Sequence, residues 1–248
     1  MLQTPTADKL RELKLYGMLK SFQEQCASTE YVDLSFEERL GLMVDREMIE
    51  QQNRRLSSRL KKAKLRQQAC MENIDYRQRR NLDKSFIKTF TECMWVHDAL
   101  NVLITGPCGV GKSFIACALA HKACLKGYTA FYVRAPRLFE DLAIAKGDGR
   151  YLRLINSLGR VNVLVIDDWG LSVLTDYQQR DFLEIMEDRH ENGSTIITSQ
   201  LPVEQWHEAI GNPTLADAIL DRIVHNAYTI NLTGESMRKK NRRKSSSE

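Results

Sequence analysis

The chain is 248 residues long, 43% hydrophobic and 27% charged, a balance that fits a folded globular protein and excludes a collagen or a wholly unstructured chain. No apolar run approaches the ~18 residues a membrane span needs, and Met1–Thr6 lacks the charged-then-apolar layout of a secretion signal, so a cytoplasmic protein is expected. The net charge of +4 hides an asymmetry: residues 1–90 carry 18 basic and 13 acidic side chains, 91–237 carry 12 and 18, and 238–248 carry 6 and 1, so an acidic body lies between basic ends that suit a polyanion.

Residues 8–25 place Leu10, Leu13, Met18, Leu19 and Phe22 near helical spacing. Ser35 and Glu38 form a capping-box pattern that predicts a second helix from about 36, running on through 51–70. Its later part carries Arg54, Arg55, Arg59, Lys61, Lys62, Lys64 and Arg66 with no acidic residue between them: either a DNA-binding run, an exposed helix face or a partner surface. Gly and Pro are absent from 42 to 105, which favours a helical connector to the next unit. From 101 the pattern alternates. Strands are predicted at Asn101–Thr105, Thr129–Val133, Val163–Asp167, Thr195–Ser199 and Asn226–Leu232. Helices are predicted at 112–126, 136–146, 150–159, from Thr175 or Asp176 to Gly193, at 203–209 and at 215–225. Five strands alternating with helices imply an α/β fold with a parallel sheet flanked by helices, preceded by a small all-helical N-terminal domain. The predicted divisions are 1–65, 66–234 and a basic, disordered tail at 235–248. The six cysteines lack zinc or C-x-x-C spacing and read as reduced packing residues.

Gly106-Pro107-Cys108-Gly109-Val110-Gly111-Lys112-Ser113 fits G-x-x-x-x-G-K-[ST] between a strand and a helix. Such a loop turns backbone N–H groups toward phosphate oxygens and aims a helix N-terminus at the same anion. Lys112 can reach the β- and γ-phosphates of ATP, and Ser113 can ligate Mg²⁺. Cys108 is a small loop residue, with a redox role as the alternative. The run Val163–Ile166 is a buried parallel strand that delivers Asp167 and Asp168 at its carboxyl end, where α/β sheets place ligands. Asp167 is expected to hold Mg²⁺, directly or through water, and Asp168 to orient the attacking water; two turn or cap aspartates are the bland alternative.

The ordered set Gly106–Ser113, Val163–Gly170, Ser194–Pro202, Ala218–Arg222 and Gly234–Ser236 resembles the IstB-type helper ATPases encoded beside the transposase of bacterial insertion sequences. Leu10–Met18 and Ser35–Leu40 resemble that family's opening, so the resemblance covers nearly the whole chain. It implies a P-loop AAA+ fold related to helicase loaders, ATP and Mg²⁺ as cofactors, and duplex DNA, a cognate transposase and further copies of the chain as partners. Gln200, with Ser199, falls at the sensor position that reads the γ-phosphate, where Asn is common. Arg222 matches an arginine finger that completes a neighbouring subunit's site; a helix salt bridge to Asp217 or Asp221 is its alternative role. Asp168 stands where Asp-Glu is usual, and the shorter carboxylate implies slow turnover that suits a switch. The helical pair 136–159 corresponds to an inserted element that touches DNA in relatives, with Lys146, Arg150 and Arg153 as its candidate phosphate contacts, against a solvated hairpin. Arg54, Arg55, Lys61 and Lys62 are the second DNA candidates. Arg238 falls near a late sensor arginine, with a DNA contact or no role as alternatives. Trp95, Trp169 and Trp206 read as packing residues, Trp169 against the loop or a neighbouring subunit. A helicase loader acting on single-stranded DNA is the rival function; a DNA-bending protein whose ATP site only locks assembly is a third.

Overall fold

The computed structural model describes residues 3–78 and 80–237. The chain forms two compact units, one ending at Ser58 and the other beginning at Arg59.

The first unit holds α1 (Gln3–Glu12), α2 (Tyr16–Ala27) and the start of α3 (Phe36–Ala63). The predicted 8–25 helix is two helices, because Lys14 takes a left-handed conformation (φ 60°) between them. Buried Glu47 explains the break. Its carboxylate accepts from the backbone N–H groups of Gly17 and Met18 at 2.7 and 3.2 Å, capping α2 where the helix dipole is positive. Burial works against that charge, but hydrogen bonds from Gln51, Met18 and Gly17 and the Arg54 cation outweigh it and hold the carboxyl below its ordinary value. Arg54 also donates to the Lys14 carbonyl and lies over the Tyr16 ring. A β-carbon at Gly17 would stand 2.6 Å from the Arg46 carbonyl, so only glycine lets α2 and α3 approach this closely. The capping box is present: Ser35 N–H donates to Glu38 and Glu38 N–H to Ser35 Oγ.

The helix does not run to 70. It stops at Ala63, where Lys64 turns left-handed (φ 51°). The last turns of α3, from Arg59, belong to the second compact unit. Arg59 donates to the Cys124 carbonyl, Ala63 is fully buried and Lys64 lies over the Phe131 ring. The predicted helical connector is likewise largely irregular, with short α4 (Lys84–Thr89) and α5 (Met94–His97). Asn81, Cys93 and Ala99 adopt positive φ without any glycine, and Ala69, Met71 and Ile74 bury their side chains instead of presenting a helical stripe.

The second unit then alternates as predicted: β1 (Asn101–Thr105), α6 (Lys112–Leu125), β2 (Ala130–Arg134), α7 (Ala135–Gly147), α8 (Tyr151–Gly159), β3 (Val163–Trp169), α9 (Asp176–Arg189), β4 (Ser194–Ser199), α10 (Trp206–Ile210), α11 (Pro213–Val224) and β5 (Ala227–Asn231). The five strands pair in parallel in the order β2-β3-β4-β1-β5. Apolar β-branched runs bury both faces of the inner strands, and helices cover them. Helices α7 and α8 contribute Leu138, Phe139, Leu142, Ile155 and Leu158 to the same core as Ile166 and Ile197. Thr175 starts α9 through a full capping box with Gln178. The three tryptophans are core residues: Trp169 stacks on Phe182 at 4.3 Å and meets Trp206 edge-on, and Trp95 is buried against Phe90. Among the described residues no helix is long and apolar enough to cross a membrane. The six cysteines are free; Cys93, Cys117 and Cys124 are buried and Cys26 and Cys108 exposed.

The start of the predicted tail is ordered. Met237 N–H donates to the Gly109 carbonyl at 2.9 Å, so residues 235–237 belong to the second unit. The rest of the predicted tail, with Arg238, lies outside the described residues.

Candidate nucleotide site

Parallel register aligns the carboxyl ends of the central strands. Thr105 pairs with Ser199 and Arg134 with Asp167, and the phosphate loop leaves β1 at that level. Gly106 N–H donates to the Ser199 carbonyl, which fixes the loop's origin to β4. Two glycines are required here. Gly106 (φ 138°) has no room for a β-carbon, which would collide with the Leu232 carbonyl, and Gly111 caps α6 in a left-handed conformation (φ 102°) with Arg80 Nη1 2.6 Å from where a β-carbon would sit. Lys112 is buried, and its ammonium donates to the Gly106 and Pro107 carbonyls at 2.6 and 2.8 Å.

Asp167 is fully buried and accepts on both oxygens. Ser113 Oγ (2.8 Å) and Thr198 Oγ1 donate to one, Tyr132 OH and Arg66 Nη1 (3.5 Å) to the other. Burial and the bond to Asp167 push the Tyr132 phenol well above its ordinary range, so it stays a donor. Asp168 lies within a bulge between Ile166 and Trp169, with φ 61°. Its N–H donates to Thr198 Oγ1, and its carboxylate faces the cleft, paired with Arg134 Nε at 3.0 Å and with Arg66 Nη1 at 3.8 Å. The left-handed conformation suits Asp or Asn and disfavours most longer side chains.

These groups line a cleft of about 530 Å³ that contains Cys108, Gly109, Gly111, Lys112, Ser113, Arg134, Asp168 and Gln200, a size that fits a small-molecule ligand. Its other wall comes from the irregular segment after α3: Arg66, Gln67, Asn73, Asp75 and Arg80, joined by Met237. Arg80 is buried; it donates to the Val110 carbonyl at 2.9 Å and the Asp75 carbonyl at 2.7 Å, and burial pushes its guanidinium below the ordinary value against the pull of Asp75. The residues fit a magnesium nucleotide. Glycine N–H groups and Lys112 could cradle an anion, and the side-by-side oxygens of Ser113 and Asp167 could hold a hard cation.

Comparison with known proteins agrees with this geometry. The family model described as IstB-like ATP binding protein matches residues 8–245. The chain belongs to the IstB-like ATP-binding protein family. An insertion sequence ATP-binding protein of Sinorhizobium fredii is 53% identical over 245 residues, 99% of this chain and 100% of that one. The crystal structure of DnaI superposes with a TM-score of 0.58 at 25% identity, covering 67% of this chain and 92% of that one, and the DnaC helicase loader with 0.52 at 21%, covering 65% and 96%. This IstB-like protein therefore has the AAA+ P-loop fold of those structures and belongs with ATP-binding proteins, its curated relatives being insertion sequence ATP-binding proteins.

In this family member the cleft gathers Lys112, Ser113, Asp168 and Gln200, with Asp167 behind Ser113. Arg222 is elsewhere. It lies at the amino end of β1, where Asn101 donates to its carbonyl, and its guanidinium bonds Ala218 O and Glu187 Oε1 (2.9 Å) rather than Asp217 or Asp221. The DNA candidates divide by freedom. Lys146 donates to Asp181 at 2.5 Å and lies near the Tyr151 and Tyr177 rings, and Arg54 is spent on Glu47 and Lys14. Arg150 is exposed but pairs with Asp148. Arg55, Lys61, Lys62 and Arg153 are exposed. Sequence reasoning missed Arg80, Arg134, Tyr132 and Thr198, and read Arg66 only as part of the basic run. Of these, Arg134 was within reach, as the strand end beside Asp167.

Proposed function

We propose that this protein is an ATPase that multimerises on duplex target DNA with ATP between subunits, engages the transposase of its insertion sequence, and is reset by hydrolysis. The observation that carries the reading is a nucleotide cleft with its acid pair in place, while the matching arginine, Arg222, lies at the far end of the sheet, where only another copy's nucleotide can meet it. Lys112 would bind the β- and γ-phosphates. Ser113 and Asp167 would hold Mg²⁺, which supplies charge neutralisation at the phosphates when bound. Asp168 would orient the attacking water and take its proton, and Gln200 would contact that water or the γ-phosphate. The exposed Arg55, Lys61, Lys62 and Arg153 would contact DNA phosphates, with salt-dependent and weakly sequence-specific binding.

Electron microscopy of the protein with duplex DNA in ATP and in ADP tests the assembly. ATP-dependent multimers on duplex are expected. Monomers in both nucleotides, with single-stranded DNA alone bound, would favour the helicase-loader reading that the likeness to the DnaC loader fold also allows.

Asp168→Asn should keep ATP affinity within about threefold while phosphate release falls by ~10²–10⁴. Asn accepts the same left-handed backbone, so the loss would report the carboxylate and not a disturbed bulge; wild-type turnover would remove Asp168 from its role. Arg222→Ala should lower turnover by ~10³ or more with ATP affinity retained, and mixing it with Lys112→Ala protein should restore part of the activity in trans. Unchanged turnover would leave Arg222 as a partner of Glu187 only.

A further inference from the structure

The segment that follows α3 brings a cation to the acid pair. Arg66 comes three residues after Ala63, in the irregular stretch that lines the cleft. One of its guanidinium nitrogens stands 3.5 Å from Asp167 Oδ2 and 3.8 Å from Asp168 Oδ2. Arg134 holds the same Asp168 oxygen at 3.0 Å. Asp167 is the carboxylate proposed to take the metal, and Asp168 the one proposed to orient water. A single side chain bridges both. Neither function is compatible with the bridge: a divalent cation beside Asp167 repels the guanidinium, and the Asp168 oxygen that would face a water is already occupied by two arginines.

We propose that Arg66 is a positioning residue, a latch that holds Asp167 and Asp168 neutralised until a metal–nucleotide complex displaces it. This rests on the ATPase reading above. The latch is breakable, because its side chain is 42% exposed and water screens the ion pairs. It also hangs from the end of α3, whose last turn carries exposed Lys61 and Lys62. A phosphate backbone seated on those lysines would pull on the strand of chain that aims Arg66, which connects DNA occupancy to the state of the acid pair.

The test compares wild type, Arg66→Ala and Arg66→Lys. The first readout is the Mg²⁺ concentration needed for half-saturating binding of a fluorescent ATP analogue. It should fall about two- to fivefold in Arg66→Ala, the range expected for losing partly exposed ion pairs. Arg66→Lys should lie between the two, since a lysine keeps the charge without the fork that reaches both carboxylates. The second readout is turnover. Basal kcat should rise in Arg66→Ala with KM for ATP little changed, and its stimulation by duplex DNA should shrink. An unchanged Mg²⁺ requirement would overturn the latch. A kcat lowered tenfold or more would overturn it too, and would make Arg66 a cation acting on the phosphates. Wild-type protein that binds ATP without turning it over would sink the ATPase reading instead, and the Mg²⁺ titration would still decide the latch. The exposed position of Arg66 and a matching thermal melt for each variant keep a folding defect from imitating either result.

Discussion

Replacing Lys112 by alanine should weaken MgATP binding by ~10²-fold or more, because charge-assisted hydrogen bonds contribute about 1.5–3 kcal/mol each and Lys112 is placed to make at least two. The ammonium is already aimed: it is buried, on the first turn of α6, and held by the carbonyls of Gly106 and Pro107. The nucleotide meets a prearranged cation, so little ordering offsets the contact. The same change leaves two loop carbonyls without their donor, so a modest loss of unfolding temperature should accompany it. Calorimetric titration with MgATP checks the prediction, and affinity within threefold of wild type would show that the backbone cradle binds the phosphates without Lys112. A conservative lysine-to-arginine change is not expected to rescue, since the wider fork does not fit the space between the two carbonyls.

The largest effect on stability is expected at Arg189. It is almost completely buried at the end of α9 and has no carboxylate partner among the described residues. Its guanidinium donates to Leu158 O (2.7 Å), Val161 O (2.9 Å), Ser194 O and Thr195 Oγ1 (3.0 Å), tying the end of α8 and the start of β4 to α9. Burial pushes this guanidinium down to about 9, which still leaves it charged at neutral pH. Arg189→Met fills a similar length but leaves those acceptors without partners inside the protein. Each buried unsatisfied group costs about 1–3 kcal/mol, partly offset by no longer burying a charge, for a net loss of about 3–5 kcal/mol. At roughly 2–4 °C per kcal/mol for a chain of this size, the melting temperature should drop by about 10 °C. A drop below about 3 °C would mean that water or a backbone shift satisfies the carbonyls.

The sheet was legible because its strands are short runs of apolar, mostly β-branched residues with polar stops, and the structure reproduces all five within a residue or two at each end. The phosphate loop and Asp167-Asp168 were legible for another reason: each is contiguous, so spacing alone presents it. What spacing hides is what parallel register and irregular backbone bring together. Arg134 meets Asp168 only because β2 lies beside β3. Arg66 and Arg80 reach the cleft from a segment read as helical for want of glycine and proline, when Asn81, Cys93 and Ala99 supply the left-handed turns. Charge runs were the weakest guide. Lys146 and Arg54 stand in basic clusters, yet each neutralises a carboxylate outside its cluster, Asp181 on α9 for one and Glu47, two turns back on α3, for the other. Arg222 shows the same: the carboxylate that holds it is on α9, not on its own helix.

Asp167 also bears on how the molecule comes to exist. Its two oxygens collect donors from α6, β2, β4 and the stretch after α3, so one carboxylate is complete only when residues 66 to 198 have come together. Those contacts are distant in sequence, and parallel pairing of this kind closes slowly. In a nascent or partly unfolded chain water takes the place of those donors, and there is no half-formed version of the site. Competence to bind nucleotide should emerge in a single step with the last docking of β3 between its neighbours, and vanish in a single step when that docking is undone.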